Sequence, residues 1–271
     1  MSQISDRLYR ISMSITARIM RALLRSRNIK GAFCVTAYDA FFEQDAMRFA
    51  YHFDKYGVAG NIDSGGTTEP ITRAKANEFL NTPDAVFFDI GAHEGLFSIS
   101  AKRANPALKV YAFEPQPAEL RENLQLNDLG SVEVVAAAVG ERAGSVSMTT
   151  DERSSNHVTD TNSGSIPVVA LDDQDLPAPT LMKLDIEGFE LSALKGATNI
   201  LKTNRPIVIT EINHCFLRYN KDLLPLHEFM EAHGYRMQAL RDGSLVPIDS
   251  APASLEALPG SAEYNYWWTP T

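Results

Sequence analysis

The sequence predicts an α/β protein: a doubly wound, mostly parallel sheet over residues 83–271, entered through a helical N-terminal extension and cap over residues 1–82. Three observations carry the prediction. From Pro83 onward, short and almost wholly apolar runs alternate with amphipathic stretches, the pattern of buried parallel strands and the helices that cover them. The first apolar run closes on Asp89 and Gly91, and Gly95 opens the next helix, so the chain turns sharply at a strand end. The second run closes on Glu114, which an open α/β sheet brings beside that turn.

Residues 1–30 hold seven basic residues against Asp6 alone, and Ile4, Leu8, Ile11, Ile15, Ile19, Ala22 and Leu23 recur at helical spacing. A basic amphipathic helix over residues 5–27 is expected. Three roles fit it: lying on an anionic membrane surface, serving as a transit-like targeting segment, or packing on the acidic remainder of the chain or on a sister subunit. The aromatic-rich stretch AYDAFFEQDAMRFAYHFDKYG reads as a second helix ending at Gly57, packed into the core and capping a substrate pocket. A polar loop, NIDSGGTTEP, leads to a helix over residues 71–80. AVFFDIG is the first strand, EGLFSISAKRAN a helix, VYAFEP the second strand, PAELRENLQLNDLG a helix and SVEVVAAAVG the third strand. SVSMTT and IPVVAL are short β-like runs around DERSSNHVTDTNSGS, a long loop or hairpin tip. TLMKLDIEG, FELSALKGATNILKT, RPIVITEIN and PLHEFMEAHG continue as strand, helix, strand and helix. YRMQAL, SLVPI and EYNYWWTP close the chain as short antiparallel additions.

A chain of 271 residues with 44% hydrophobic and 22% charged residues buries a full core, which excludes disorder as a whole-chain description. No apolar run approaches the roughly 18 residues of a membrane span. The net charge of −9 argues against nucleic acid as a partner. That charge is uneven, +6 over residues 1–30 and −15 over the remainder. Cys34 and Cys215 are too few and too far apart for a disulfide framework or a zinc site. A reducing, cytoplasmic setting is expected, peripheral to a membrane if the N-terminal helix binds one.

The first turn has the spacing D-x-G-x-x-x-G, with His93 where a dinucleotide fingerprint has its middle glycine. An imidazole there opposes the close backbone approach a pyrophosphate requires. Glu114 can accept hydrogen bonds from both hydroxyls of an adenosine ribose and would repel a 2′-phosphate. Turn and acid together point to an adenosine cofactor.

Three blocks in this order, FFDIGAHEGLFSISAKR, VYAFEPQPAELRENLQLN and LMKLDIEGFELSALKGA, resemble the FkbM family of S-adenosylmethionine-dependent methyltransferases. The resemblance covers residues 84–270, and its most specific mark is the string K-x-D-x-E-G-x-E, present as Lys183, Asp185, Glu187, Gly188 and Glu190. It implies a class I methyltransferase (Rossmann-like) fold with a seven-stranded sheet in the order 3-2-1-4-5-7-6. It implies S-adenosyl-L-methionine as cofactor and O-methylation of a sugar, glycolipid or secondary-metabolite hydroxyl. Asp89, Gly91 and Gly95 would form the methionine-side turn, Glu114 would hold the ribose, and Ala137 and Ala138 would flank the adenine. His93 departs from the small polar residue more usual in the family.

Methyl transfer is an in-line displacement that needs a positioned acceptor oxygen and a base or orienting group beside it. Lys183 and Asp185 alternate onto one face at the end of the fourth strand. Asp185 is the first choice for base or acceptor-orienting carboxylate and also borders the cofactor; Lys183 pairs with it or binds the acceptor. Glu187 opens the next helix, as a cap or as a site residue. Glu211 reaches the same site from the fifth strand, and His214 is a second candidate base. A Mg²⁺ ion held by Asp185, Glu187, Glu211 and His214 is the alternative to a base, and the preferred reading assigns no metal ligand. N- or C-methyl transfer, a nicotinamide-dependent oxidoreductase, and a catalytically silent cofactor-binding or membrane-associated scaffold compete. A homodimer is expected from the exposed amphipathic helix.

Overall fold

The computed structural model describes residues 32–35, 40–44, 47–50, 69–149, 158–160, 164–252 and 254–271. The basic helix expected over residues 5–27 lies outside them. Strands β1 (Ala32–Val35), β2 (Ala40–Gln44) and β3 (Met47–Ala50) form a small antiparallel sheet. This corrects the helix expected over the aromatic-rich stretch. Short apolar runs read as helix or strand with equal ease, and bulky aromatics such as the buried Phe49 suit a pleated surface. The extension is therefore not wholly helical. Asn127 fastens β3 to the rest of the protein: its Oδ1 accepts the Arg48 N–H at 2.9 Å and its Nδ2 donates to the Arg48 carbonyl at 2.6 Å.

Next come α1 (Pro70–Leu80), β4 (Val86–Ile90), α2 (Leu96–Ala104), β5 (Lys109–Phe113), α3 (Ala118–Leu126) and β6 (Glu133–Val135). The expected third strand then splits. Its second half is β7 (Ala138–Val139), which leaves the main sheet to pair with β10 (Ile166–Val169), beside β8 (Gly144–Met148) and β9 (Val158–Asp160). The chain continues through β11 (Leu181–Leu184), α4 (Glu190–Lys195), α5 (Thr198–Thr203), β12 (Ile207–Glu211), α6 (Leu224–Ala232), β13 (Tyr235–Arg241), β14 (Ser244–Pro247) and β15 (Asn265–Pro270). The single helix expected between β11 and β12 is two, broken at Gly196, where an added Cβ would lie 2.1 Å from the Gly140 carbonyl oxygen.

The main sheet runs β6-β5-β4-β11-β12-β15-β13-β14. The first five strands are parallel, and β15 is antiparallel to both neighbours. The sheet has eight strands where seven were expected. The extra edge strand is β14, returned from β13 by the tight turn Asp242-Gly243, whose φ values of 47° and 74° are those of a two-residue hairpin.

Alternation divides the core. Phe87, Val110, Ala112, Leu181, Ile209 and Trp267 face the side covered by α1, α2 and α3. Phe88, Phe113, Met182, Leu184, Val208 and Trp268 face α4, α5 and α6. No helix among the described residues is long and apolar enough to cross a membrane.

Candidate active site

The same alternation assembles the site. Asp89 follows Phe87 by two residues, Lys183 follows Leu181, Glu211 follows Ile209, and Asn265 precedes Trp267. A period of two therefore delivers all four polar side chains to the α1–α3 face. Register aligns them across strands: Lys183 pairs with Asp89, and Glu211 with Asn265. Because β15 is antiparallel, its first residue, Asn265, lies at the carboxyl ends of its parallel neighbours, where α/β sheets bind ligands.

The turn after β4 is left-handed at Gly91, His93 and Gly95, with φ of 80°, 50° and 87°. A Cβ on Gly91 would stand 2.0 Å from the Asp185 carbonyl oxygen, so only glycine lets the exits of β4 and β11 touch. The N–H groups of Gly91 and Ala92 both donate to the Phe113 carbonyl, at 2.9 and 3.1 Å, tying the turn to the end of β5. Glu114 extends that end. Its Oε2 accepts the His93 N–H and its Oε1 the Gln116 N–H, each at 2.9 Å. Each oxygen keeps acceptor capacity for a ligand hydroxyl. The half-buried carboxylate and the glycine cradle fit an adenosine cofactor. Ala137 and Ala138 are buried just beyond β6.

Asp89 is buried beneath α2. Its Oδ2 accepts the Ser98 N–H at 2.9 Å and the Ser98 hydroxyl at 2.5 Å, which satisfies a first-turn donor of that helix. Burial pushes this carboxyl up to about 6, against the Ser98 hydrogen bonds and the Lys183 charge. Asp89 holds the turn in place from below.

Lys183 is the hub. Its Nζ lies 2.8 Å from Asp185 Oδ2 and 4.4 Å from the centre of the Phe97 ring. Burial works against the ammonium, but the charges of Asp185, Glu69 and Glu211 hold it above the ordinary lysine range. Burial likewise works against the Asp185 carboxylate; the Lys183 charge and hydrogen bonds from Glu211 and Lys183 prevail and keep it below the usual carboxylate range. Glu211 goes the other way. Burial, the Asp185 charge and its hydrogen bond to Asp185 push it up to about 10. The opposite shifts make Glu211 the acid of this hydrogen-bonded pair that keeps its proton to higher pH.

Glu69 joins from outside the sheet. It precedes α1, which packs on the same face with Phe79 5.8 Å from Trp267 between ring centres. Its Oε1 accepts from Asn265 Nδ2 at 2.6 Å. Burial raises its pKa, with Lys183 opposing.

Glu187 does not open a helix. It sits in the turn after β11 at φ 59°, and its Oε2 pairs with Arg218 Nη1 at 2.9 Å. Glu190 is the first residue of α4, and its buried Oε1 accepts the N–H groups of Ile186 and Gly188 in the preceding turn at 3.1 and 3.2 Å. Burial pushes Glu190 up to about 7. His214 is exposed, with its Nε2 3.4 Å from Cys215 Sγ, and Asn213 accepts the Cys215 N–H at 2.7 Å. The structure thus gathers Lys183, Asp185 and Glu211, while His214 is exposed on Cys215. Among the described residues, the ligand atoms that gather within 4.8 Å are those of His93, Glu94 and Glu119, not the quartet read as a Mg²⁺ site. Sequence reasoning missed Glu69, Ser98 and Asn265. Only Pro70, favoured at a helix start, marks the place of Glu69.

The methyltransferase FkbM domain family matches residues 89–237, from Asp89 in β4 into β13. The hexuronic acid methyltransferase AglP of Haloferax volcanii is 30% identical over 141 residues, 48% of this chain and 56% of that protein. The methyltransferase sdnD of Sordaria araneosa is 33% identical over 99 residues, 35% of this chain and 38% of that protein. The chain matches only about half of the first relative's length and less of the second's. The crystal structure of methyltransferase FkbM from Methylobacillus flagellatus KT aligns at a TM-score of 0.44 and 20% identity, over 69% of this chain and 44% of that one. With its match running through more than half of its length, the chain belongs to the FkbM methyltransferase domain family.

Proposed function

We propose that the chain is an S-adenosylmethionine-dependent O-methyltransferase whose acceptor is a hydroxyl of a sugar, glycolipid or secondary metabolite. Family membership supports the cofactor and the reaction class. The relative named as a hexuronic acid methyltransferase supports a sugar-type acceptor. The seven strands other than β14, numbered in chain order, read 3-2-1-4-5-7-6, which supports a class I arrangement with β14 added at one edge.

The observation that carries the reading is the placement of Asp185. It stands at the exit of β11, backbone against the Gly91 turn and carboxylate on Lys183. Bound S-adenosylmethionine would supply an electrophilic methyl carbon on a sulfonium. Asp185 accepts the hydrogen bond of the acceptor O–H and aims the oxygen. A carboxylate held low is a weak base, so orientation is its main contribution, and it takes the proton as the oxygen forms its new bond. With 29% of its side chain exposed, it passes that proton to solvent. The reading routes nothing through a metal, because Glu187 is engaged by Arg218 and His214 by Cys215.

The test is transfer of labelled methyl to a panel of glycosides and hydroxylated metabolites, wild type against Asp185→Asn. The substitution should lower kcat about 10²–10⁴-fold, the usual range for a positioned acid–base group, and calorimetry with S-adenosylhomocysteine separates that loss from any change in cofactor binding. Full activity in the variant removes Asp185 from the reaction.

A further inference from the structure

Resting on the methyltransferase reading, we propose that the acceptor is an uncharged, polyhydroxylated group, a neutral glycosyl unit in place of a uronate, and that Glu69 is a determinant of that choice. Glu69 lies outside the segment that matches the family. One direct contact, and two on the helix it precedes, hold it at the site across about seven tenths of the chain. Asn265 Nδ2 donates to its Oε1 at 2.6 Å. The Glu263 carboxylate accepts the Ile71 and Thr72 N–H groups at 3.2 and 2.9 Å, so the end of the chain caps the helix that Glu69 precedes. Glu69 is also left-handed, at φ 50° and ψ 48°, immediately before Pro70. Residues before proline favour extended backbone, so this conformation persists only because its surroundings impose it.

The result is three acids, Glu69, Asp185 and Glu211, around one lysine. The side chain of Lys183 is 2% exposed, against 29% for Asp185, so the cluster meets an incoming acceptor with carboxyl oxygens and keeps its cation behind them. The Lys183 ammonium is already engaged by Asp185 and the Phe97 ring. A carboxylate acceptor would meet the Asp185 carboxylate and the carboxyl oxygens of Glu69 and Glu211 before the Lys183 cation engaged behind them, and would be repelled. A pair of neighbouring hydroxyls offers two donors to acceptor oxygens, the arrangement by which acids bind sugars without needing a charge on the ligand. Asn265 adds one more: its Oδ1 is buried and accepts no hydrogen bond among the described residues.

The experiment is ligand-observed NMR on the full chain with S-adenosylhomocysteine present. The probes are the methyl glycosides of glucose, galactose and mannose, the corresponding uronides, and methyl glucosaminide. Calorimetry with S-adenosylhomocysteine alone reports the cofactor reading separately. At least one neutral glycoside should bind tenfold or more tightly than its uronide. Glu69→Gln, which keeps an acceptor for Asn265, should shrink that ratio at least threefold, and Glu69→Lys should invert it, with S-adenosylhomocysteine affinity within twofold of wild type. Preference for a uronide or for the aminoglycoside, binding of none at millimolar concentration, or an unchanged ratio in both variants overturns the proposal, even where the cofactor binds normally.

Discussion

Lys183→Met removes one ammonium from among three acids and keeps most of the side-chain volume. Nζ sits 2.8 Å from Asp185 Oδ2, at 2% exposure for the lysine side chain. Removing one partner of a buried pair costs about 3–5 kcal/mol, because the other charge is left uncompensated. Asp185 is 29% exposed, and solvent softens that penalty. The loss expected at pH 7 is therefore about 2–3 kcal/mol, a large share of the roughly 5–15 kcal/mol of a typical domain. The pH dependence identifies the cause. Lys183 holds Asp185 below its ordinary value of 3.8. A depressed carboxylate contributes stability above its unfolded pKa and loses it as pH falls through the folded one. The gap between wild type and variant should be full at pH 7 and should narrow once pH drops below about 4. Urea unfolding at neutral and acid pH measures both. A gap below about 0.5 kcal/mol at pH 7 would place the pair among those surface-like pairs of little net worth and refute the reasoning. So would a gap that does not change with pH.

Three further substitutions, at two positions, probe the same architecture. Glu211→Gln should stay within about 1 kcal/mol of wild type, because the amide replaces the protonated carboxyl as donor to Asp185, whereas Glu211→Ala should cost about 1–3 kcal/mol by leaving Asp185 short of a partner; equal losses in urea unfolding would mean that Glu211 is ionised. Gly91→Ala forces a Cβ to within 2.0 Å of the Asp185 carbonyl at a φ of 80°. About 1–2 kcal/mol for the left-handed backbone and 1–3 for the clash give a loss of about 2–5 kcal/mol, and near-wild-type stability would show that the strand exits do not touch.

Much of the fold could be read from one-dimensional patterns. Period-two alternation around Phe87, Leu181 and Ile209 sets both the strands and the face on which Asp89, Lys183 and Glu211 appear. The Asp89–Gly91–Gly95 spacing marks the turn because left-handed backbone favours glycine. The residues that escaped reading depend on tertiary contacts. Nothing local places Glu69 against Asn265, since the contact spans 196 positions. The strands at Ala40–Gln44 and Met47–Ala50 resemble a helix because their apolar runs are too short for periodicity to decide. The roles of Glu187 and Glu190 escaped for a similar reason: the string shows two acids near a helix start, and only the left-handed turn at Glu187 and Gly188 sets Glu187 against Arg218 and leaves Glu190 to accept the turn's N–H groups.

The most direct test of an adenosine-cofactor methyltransferase site is calorimetric titration with S-adenosylmethionine, S-adenosylhomocysteine and NADH, using Glu114→Ala as control. Both Glu114 oxygens already accept backbone N–H groups at 2.9 Å, so the carboxylate is fixed where a ribose would meet it. The expected result is binding of both sulfur ligands, no binding of NADH, and at least about a tenfold loss in Glu114→Ala, the 1.4 kcal/mol or more that hydrogen bonds to a charged group contribute. Binding of NADH in their place, or equal affinity of wild type and variant for S-adenosylmethionine, would contradict the account.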